Sequence, residues 1–326
     1  SLGTRNPLIV KIKGHTMKRS LFLLMLSAVM AAHASAAEKI TLVLDWYLNP
    51  DHAPIIVAEQ IGAFKQQGLE VRIVPPSDPA LPPRLVAAGQ ADLAITYQPQ
   101  LHFFADQGLP LMRVGSLINT PLNTLITLDK NIRSPADLKG KKVGFSVSGI
   151  EEATIATMLR HEKLGAEDIK LINVNFQLTS ALMAGQVDAI IGGYRNIEAL
   201  ELALHGKQPV VFNVEDYGVP AYDELIIVAN KAAVNQPKIK KFLAALKQGN
   251  DYLQAHPDES WRHFSASHAE LNTELNRLAW QKTLPLFARD PAKLDSARYQ
   301  AYEQFLFDNH LIKNITPVSE YATELK

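Results

Sequence analysis

Short hydrophobic runs alternate with helical stretches over the first two thirds of the chain. The runs with strand character are ITLVLDW, LEVRIV, ADLAITY, LMRVGSL, NTLITL, KKVGFSV, IKLINVNF, VDAIIGGY and DELIIVAN. Helices are predicted between several of them, at residues 54–67, 83–88, 150–163 and 179–184. This alternation is the βαβ rhythm of mostly parallel sheets that are flanked by helices.

The last third of the chain has a different pattern. Residues 235–326 show helical spacing almost throughout, with breaks at Pro257, Pro285 and Pro291. A chain of 326 residues is long enough for two units of the usual ~100–200 residues, and no long Gly/Ser linker divides it. We therefore expect an α/β protein of two lobes that are joined by short crossings, with a helical C-terminal region.

The N-terminal segment has the pattern of a secretory signal. From Met17 the chain reads MKRS, then the apolar stretch 21–30, then AAHASAA with small residues before a cleavage site. The apolar stretch is shorter than the ~20 residues that a membrane-spanning helix needs, and no cysteine follows it that could carry a lipid. We expect residues 1–16 to lie upstream of the natural start, residues 17–37 to be removed, and the mature protein to be free in a bacterial periplasm.

Charge and composition exclude several classes of function. The first 37 residues hold five of the 33 basic side chains and none of the 33 acidic ones, so the remainder has a net charge of −5. A nucleic-acid or anionic membrane partner would need a concentrated basic surface. The chain has no cysteine, its ten histidines lack metal-site spacing, and the P-loop, dinucleotide and zinc-protease motifs are missing. We therefore expect no nucleic-acid partner, no catalytic residue, no metal and no cofactor.

Two segments of the chain resemble each other. Residues 88–95 and 184–191 each read as a helix end, a glycine turn and a buried strand. Internal duplication and chance likeness of the same turn chemistry both remain open. In either case a tyrosine follows, Tyr97 or Tyr194. Because open parallel sheets bind ligands outside the carboxyl ends of their strands, we expect both tyrosines to face a shared cleft.

The turn after the first strand carries polar groups beside an aromatic ring. Trp46 is followed by Asn49, Asp51 and His52, just before a helix. A helix N-terminus next to these groups can orient polar ligand atoms. The alternative is that Asn49 or Asp51 caps the helix while the indole is buried in the core.

A second strand-to-helix turn resembles a nucleophile elbow but fails as one. The motif G-x-S-x-G would need glycine at position 148, where the chain has Ser148. Ser148 and Glu151 have the S-x-x-E spacing of a capping box, which is the favoured interpretation. Exposed backbone amides at Ser148 and Gly149 are an alternative site for a ligand carbonyl or phosphate.

A third turn joins paired glycines to an aromatic and a carboxylate. Gly192 and Gly193 precede Tyr194, and Glu198 follows within about one helical turn. A carboxylate near an aromatic ring suits an aminopyrimidine, because it can accept from the exocyclic amine and from a protonated ring nitrogen. The alternative is that Glu198 is a solvated helix residue. Tyr222, farther along, can lie in the cleft or on the surface.

Together these segments resemble the solute-binding receptors of ABC transporters, in the branch that binds thiamin pyrimidine precursors. The resemblance covers essentially residues 40–320 and implies the type II fold of periplasmic binding proteins, with a cleft that closes on a small molecule. It implies a monomer, no enzyme, and a membrane permease as partner. The implied lobes are 38–128 plus 225–326, and 129–224, with crossings near Leu128–Asp129 and Asp223–Leu225. The segments that carry it are DWYLNPDHAPIIVAEQIGAFKQQGLEVRIVPPSDP, LVAAGQADLAITYQPQ, GSLINTPLNTLITL, DLKGKKVGFSVSG and GQVDAIIGGYRNIE.

The resemblance also implies a ligand and its contacts. The expected ligand is formylaminopyrimidine or its hydroxymethyl analogue. Other receptors on this scaffold bind riboflavin, sulfonates such as taurine, or nitrate, and a sensor that signals to a membrane kinase would have the same sequence features. The implied ligand-binding residues are Trp46, Asn49, His52, Tyr97, Gln98, Ser148, Glu152, Tyr194 and Glu198.

The same fold branch contains fungal pyrimidine synthases, which consume pyridoxal phosphate and one of their own histidines. Where these enzymes place the Schiff-base lysine and the donated histidine, this chain has Thr96 and Gln100. Their cysteine-rich segment corresponds to residues 219–225, and this chain has no cysteine. The comparison favours a binding protein and leaves a synthase as the alternative.

Overall fold

The computed structural model describes residues 35–326. Residues 1–16 and nearly all of the predicted signal segment, residues 17–37, lie outside the described part. Within residues 35–326, no helix combines the length and the apolar character that crossing a membrane would require.

The described strands form two five-stranded sheets. In spatial order, the first sheet contains β2 (Leu69–Val74), β1 (Glu38–Val43), β3 (Leu93–Thr96), β10 (Leu225–Asn230) and β4 (Leu111–Ile118). The second contains β7 (Lys170–Asn173), β6 (Lys142–Phe145), β8 (Ala189–Tyr194), β5 (Asn123–Thr127) and β9 (Val210–Asn213). Strands β3 and β8, which end the two similar segments of the sequence, occupy the same third position in their sheets.

Each sheet is mostly parallel, as the sequence predicted. In the first sheet β10 alone runs antiparallel to its neighbours β3 and β4, and in the second β5 alone runs antiparallel to β8 and β9. In both cases the antiparallel strand is the first one that the chain forms after crossing from the other sheet. The prediction of an α/β fold with two mostly parallel sheets is confirmed.

Helices flank the two sheets. In the described residues they are α1 (Ala53–Gln60), α2 (Ala63–Gln66), α3 (Pro82–Ala87), α4 (Gln98–Asp106), α5 (Ile150–His161), α6 (Leu178–Met183), α7 (Glu198–Leu204), α8 (Pro237–Ala255), α9 (Pro257–Ser267), α10 (Glu274–Thr283) and α11 (Ser296–Asp308). The helix predicted over 54–67 is divided at Gly62, whose φ of +79° ends the first helix. Helix α4 and strand β9 were not predicted, and the sequence indicated α7 only through the alternative that Glu198 is a helix residue.

The first crossing between the sheets lies earlier than the sequence predicted. Strand β5, expected in the lobe 38–128, pairs with β8 and β9 of the second sheet. The chain therefore leaves the first sheet between Ile118 and Asn123, and not near Leu128–Asp129. The hydrophobic pattern of NTLITL identifies a strand, but pairing with distant segments decides which sheet receives it.

The return crossing lies between Asn213 and Leu225, and this interval includes part of the predicted crossing at residues 223–225. We call residues 38–118 with 225–326 the first half, and residues 123–213 the second half. The long helix α8 covers the first sheet by packing directly on α1. Gly249 allows this close approach, because a Cβ at that position would lie 2.5 Å from the carbonyl oxygen of Pro54.

Candidate ligand-binding site

A cavity lies where strand ends of the two halves face each other, with about 670 Å³ of empty space when the part open to solvent is included. The first half supplies residues that follow β1 and β3. The second half supplies residues that follow β6 and β8, together with the first turns of α5 and α7. This is the edge at which an open parallel sheet offers helix N-termini and strand ends to a ligand.

The three aromatic residues predicted to meet a ligand all line this cavity. Trp46 follows β1, Tyr97 follows β3, and Tyr194 ends β8. The first two belong to the first half and Tyr194 belongs to the second. The two tyrosines therefore face one shared cavity, as the repeated segments led us to expect.

Two predicted polar residues line the same cavity. The Asn49 side chain accepts a hydrogen bond from the Asp51 amide at 2.9 Å and so caps the short 3₁₀ turn of residues 50–52. Glu198 opens helix α7 and is partly buried. Its Oε2 atom is buried without a hydrogen-bond partner among the described residues. Since a buried unpaired oxygen costs free energy, Glu198 is open to a ligand donor.

His52 and Gln98 were predicted to contact the ligand, but neither lines the cavity. His52 is fully buried: its Nδ1 accepts from the Asn49 amide at 3.2 Å, and its Nε2 donates to Asp45 Oδ1 at 2.7 Å. Gln98 Oε1 accepts from the backbone N–H of Asp223 at 2.7 Å. His52 therefore orients Asp45, which lines the cavity. Gln98 holds the return crossing in place.

Ser148 and Glu152 also lie outside the cavity, and the predicted capping box is displaced by one residue. Helix α5 begins at Ile150, so the backbone N–H of Gly149 donates to the Glu152 carboxylate, and Ser148 contacts the same carboxylate at 3.4 Å. Ser148 is exposed. Because the capping box is displaced, Glu151, which we expected to cap the helix, lines the cavity instead.

Several cavity residues were missed by the sequence prediction as ligand contacts. The sequence indicates Asp51 only as a helix cap and Glu151 only as part of a capping box. For Tyr222 it leaves both cleft and surface open. Asp45 directly precedes Trp46, and this position next to a predicted ligand contact could have identified Asp45 from the sequence. The lining residues not predicted as ligand contacts include Asp45, Asp51, Asn123, Glu151, Tyr222 and Glu224.

Five carboxyl groups thus surround the cavity, and burial shifts most of them toward the protonated form. Burial raises the pKa of Asp51 to about 7, although a hydrogen bond from Asn196 opposes this. Burial likewise raises the pKa of Glu151 to about 8 and of Glu224 to about 7. The pKa of Glu198 is raised well above its ordinary value, by burial first and then by the charge of Asp51.

No basic side chain balances these groups at the surface of the cavity. Among the described residues, no Lys, Arg or His lines it. Arg195 lies nearby, but its guanidinium is engaged by Glu215, with Nη2 2.8 Å from Oε2, and by the carbonyl oxygens of Leu122 and Asn123. The site therefore offers acceptors and carboxylic acids to a ligand, and it has no fixed cation for an anionic group.

An aromatic contact bridges the halves beside the cavity. The Trp46 ring of the first half meets the Phe176 ring of the second half edge to face, with centroids 4.8 Å apart. Asn175 has a φ of +51°, which turns the loop so that Phe176 reaches Trp46. The sequence does not mark Phe176 as a functional residue, because its role depends on contact with Trp46, which lies 130 residues earlier in the chain.

Solved structures show that the architecture has relatives with little sequence identity. A Candida albicans protein described as having the generic periplasmic binding protein fold has a TM-score of 0.68 at 15% identity, covering 89% of this chain and 97% of that one. The alkanesulfonate-binding protein of Xanthomonas axonopodis has a TM-score of 0.68 at 19% identity, covering 89% and 99%. The fold is that of the periplasmic binding proteins.

Sequence relatives place the chain more narrowly. Residues 49–260 match the family model described as NMT1/THI5 like. A Haemophilus influenzae protein with the provisional name thiamine biosynthesis protein is 51% identical, over 94% of this chain and 98% of its own length. The formylaminopyrimidine-binding protein of Halalkalibacterium halodurans is 33% identical, over 82% of each chain. The chain belongs to the NMT1/THI5-like family.

The sequence relatives also include enzymes. A 4-amino-5-hydroxymethyl-2-methylpyrimidine phosphate synthase of Aspergillus parasiticus is 27% identical, over 78% of each chain. In this protein Thr96 Oγ1 donates to Gln100 Oε1 at 2.7 Å, and both residues are buried. These are the positions at which the resemblance to the synthases would require a lysine and a histidine, and neither of them lines the cavity.

Proposed function

We propose that this protein is a periplasmic binding protein that captures an unphosphorylated thiamin pyrimidine precursor and delivers it to an ABC permease. The ligand is formylaminopyrimidine or hydroxymethylpyrimidine, and the protein works as a monomer without catalysis. The two lobes that close on the ligand are the first and second halves, as the two sheets define them. The fold, the family and the named relatives support this proposal.

The observation that carries the proposal is an aromatic cavity with five carboxyl groups and an unpaired Glu198 oxygen. An aminopyrimidine presents an amine hydrogen and a ring nitrogen side by side. A carboxyl group pairs with both at once, because as an acid it donates to the ring nitrogen while it accepts from the amine, and as a carboxylate it accepts from the amine and from a protonated ring nitrogen. Its flat ring has two faces for stacking, and each aromatic contact adds about 0.5–1.5 kcal/mol beyond the burial of area. Tyr97 and Tyr194, one from each half, are the candidates for these contacts.

The lack of a cation in the described lining of the cavity argues against anionic ligands. A sulfonate or a phosphate ester would lose its hydration and face five carboxyl groups with no lysine, arginine or histidine in the described lining. The similarity of fold to the alkanesulfonate-binding protein therefore does not extend to the chemistry of this site. For the same reason we propose the free pyrimidine, and not its phosphate, as ligand.

Residue chemistry supports the proposal that this protein has no catalytic activity. A synthase of the fungal type needs an amine that forms an imine with pyridoxal phosphate, and the hydroxyl of Thr96 cannot do this. Gln100 likewise has no imidazole to donate. An assay for pyrimidine formation from pyridoxal phosphate should give no product with the purified protein, and product formation would contradict a pure binding role.

A calorimetric panel tests the ligand class. We expect formylaminopyrimidine and hydroxymethylpyrimidine to bind, whereas taurine, riboflavin and hydroxymethylpyrimidine phosphate release no heat of binding. At a concentration about 100 times the dissociation constant, a ligand should add about 2.7 kcal/mol to the free energy of unfolding, which a thermal melt detects. Binding of only taurine or only riboflavin would overturn the pyrimidine proposal.

The Glu198→Ala variant tests the contact itself. Loss of this hydrogen bond would leave a buried ligand donor without a partner and should weaken pyrimidine binding about ten- to a hundredfold, with little change in the melting temperature of the ligand-free protein. Glu201→Ala, on the same helix but outside the cavity lining, is the matched control and should bind normally. Equal loss of affinity in both variants would mean that Glu198 acts through the general charge of helix α7.

A further inference from the structure

The wall of the cavity formed by β5 and α5 carries a second unpaired polar group. Asn123 is 5% exposed and lines the cavity. Its Nδ2 donates to Glu151 Oε2 at 3.2 Å, whereas its Oδ1 is buried without a partner among the described residues. A buried amide oxygen without a partner costs free energy unless a ligand or a water donates to it.

The backbone of Asn123 is fixed on both sides, so the position of this oxygen is set before a ligand arrives. The Asn123 amide donates to Glu224 Oε1 at 2.6 Å, and its carbonyl oxygen accepts from Arg195 Nη2 at 3.0 Å. Glu224 itself is held by the Leu122 amide and by the hydroxyl of Tyr222. A rigid acceptor of this kind selects among ligands more sharply than a mobile one.

Glu151 is held equally close. It is 4% exposed, and a Cβ at Gly192 would lie only 2.9 Å from its Oε1, so the backbone of β8 confines the carboxyl group. Burial, with smaller effects of Glu224 and Glu152, raises the pKa of Glu151 to about 8. At neutral pH the group is therefore mostly a carboxylic acid, and it can donate a hydrogen bond as well as accept one.

Side by side, the two residues offer one fixed acceptor, Asn123 Oδ1, and one donor, the carboxylic acid of Glu151. A hydroxyl group would have to serve both through one oxygen atom. A formylamino group carries its N–H and its C=O on different atoms, and in its cis rotamer both point to the same side, so that each can meet one of the two groups. Glu198 belongs to helix α7 and is left for the pyrimidine ring.

We propose that Asn123 and Glu151 form a specificity subsite for an N-acylamino arm of the ligand, so that the cavity prefers the formylamino compound to its hydroxymethyl analogue. This inference rests on the proposed function, because it assumes that a pyrimidine occupies the cavity. Beyond that function, it assigns to Asn123 and Glu151 the discrimination between two pyrimidines of similar size.

The experiment is a ratio of two dissociation constants, measured by calorimetry at pH 7 with formylaminopyrimidine and hydroxymethylpyrimidine. The wild-type protein should bind the formylamino compound about tenfold more tightly, as one or two neutral hydrogen bonds would give. In Asn123→Ala and in Glu151→Ala the ratio should fall toward one. The control Thr157→Val changes a residue of α5 that is outside the cavity lining and whose hydroxyl donates within its own helix to the carbonyl oxygen of Ala153, and it should keep the wild-type ratio.

The outcomes separate the two proposals. Failure of the wild-type protein to bind either pyrimidine overturns the proposed function. Binding of both with equal affinity, or a wild-type ratio that survives in Asn123→Ala and Glu151→Ala, leaves the function intact and overturns the subsite. Because a ratio is compared within each variant, a uniform loss of affinity or stability does not imitate the expected result.

Discussion

At the scale of residues, the main feature of this site is that its buried carboxyl groups keep their protons to a higher pH than exposed carboxyl groups do. Asp51, Glu151 and Glu224 are each at most 4% exposed, and burial brings each pKa to about 7 or 8. In the unfolded chain the same groups titrate near pH 4. The folded protein therefore binds more protons than the unfolded chain between about pH 4 and pH 8.

This difference predicts the pH dependence of stability. Because the folded state holds the extra protons, the free energy of unfolding falls as pH rises through this window, by at most about 1.4 kcal/mol per pH unit for each group. Glu151→Gln removes one of them, so its stability should fall less steeply than that of the wild type between pH 5.5 and 8.5. Urea unfolding of the ligand-free proteins measures the slopes. Glu70→Gln, a change at an exposed residue of β2, should keep the wild-type slope, and an unchanged slope in Glu151→Gln would show that its carboxyl group ionises normally.

At the scale of elements, the end of strand β8 depends on a bulge. The pairing of β5 with β8 shifts between Thr124 and Leu125, so that Gly192 has no partner opposite it. Its φ of +103° is a conformation that residues with a Cβ rarely adopt. The bulge bends the strand just before Tyr194 and leaves room for the Glu151 carboxyl beside the backbone.

Gly192→Ala should therefore affect both stability and binding. The backbone conformation costs about 1–3 kcal/mol with a side chain present, and the added Cβ displaces Glu151. Gly206→Ala is the matched control, with a φ of +74° but no atom within 4 Å of the added Cβ. We expect both variants to unfold at lower urea concentration and only Gly192→Ala to lose affinity for the pyrimidine. Normal ligand binding by Gly192→Ala would show that the bulge does not position the cavity wall.

At the scale of the whole molecule, a buried amide links the two halves beside the cavity. Asn196 of the second half donates through Nδ2 to Asp51 Oδ1 at 2.7 Å and to Thr283 Oγ1 at 2.9 Å. Both acceptors belong to the first half and are buried. With the contact between Trp46 and Phe176, this amide stabilises the approach of the two halves around the ligand.

Removal of that amide should loosen the closed arrangement. In Asn196→Ala the loss of two hydrogen bonds should increase the rate of ligand release about tenfold, while the association rate changes little. Small-angle scattering of the ligand-free variant should give a larger radius of gyration. Asn213→Ala, at the end of β9 in the same half and outside the cavity lining, controls for loss of an asparagine. Release rates that match the control would exclude a role of Asn196 in closure.

The sequence by itself determined the alternation of strands and helices, the mostly parallel sheets and the aromatic residues at strand ends. These follow from local periodicity, since a strand end in a parallel sheet has a known location whatever its neighbours are. It also marked Asn49 and Glu198, which lie six and four residues after the ends of β1 and β8. The helical start at residue 150 was predicted as well, but not the residue that caps it.

Only the tertiary structure decided which sheet receives β5 and which carboxyl groups face the cavity. Strand pairing is a contact between residues far apart in the chain, so local pattern does not assign it. The choice between Glu151 and Glu152 depends on the phase of one helical turn, in which neighbouring side chains point about 100° apart. Asp51, Asn123 and Glu224 meet at one cavity because two crossings fold the chain back on itself, and their raised pKa values exist only once that burial is complete.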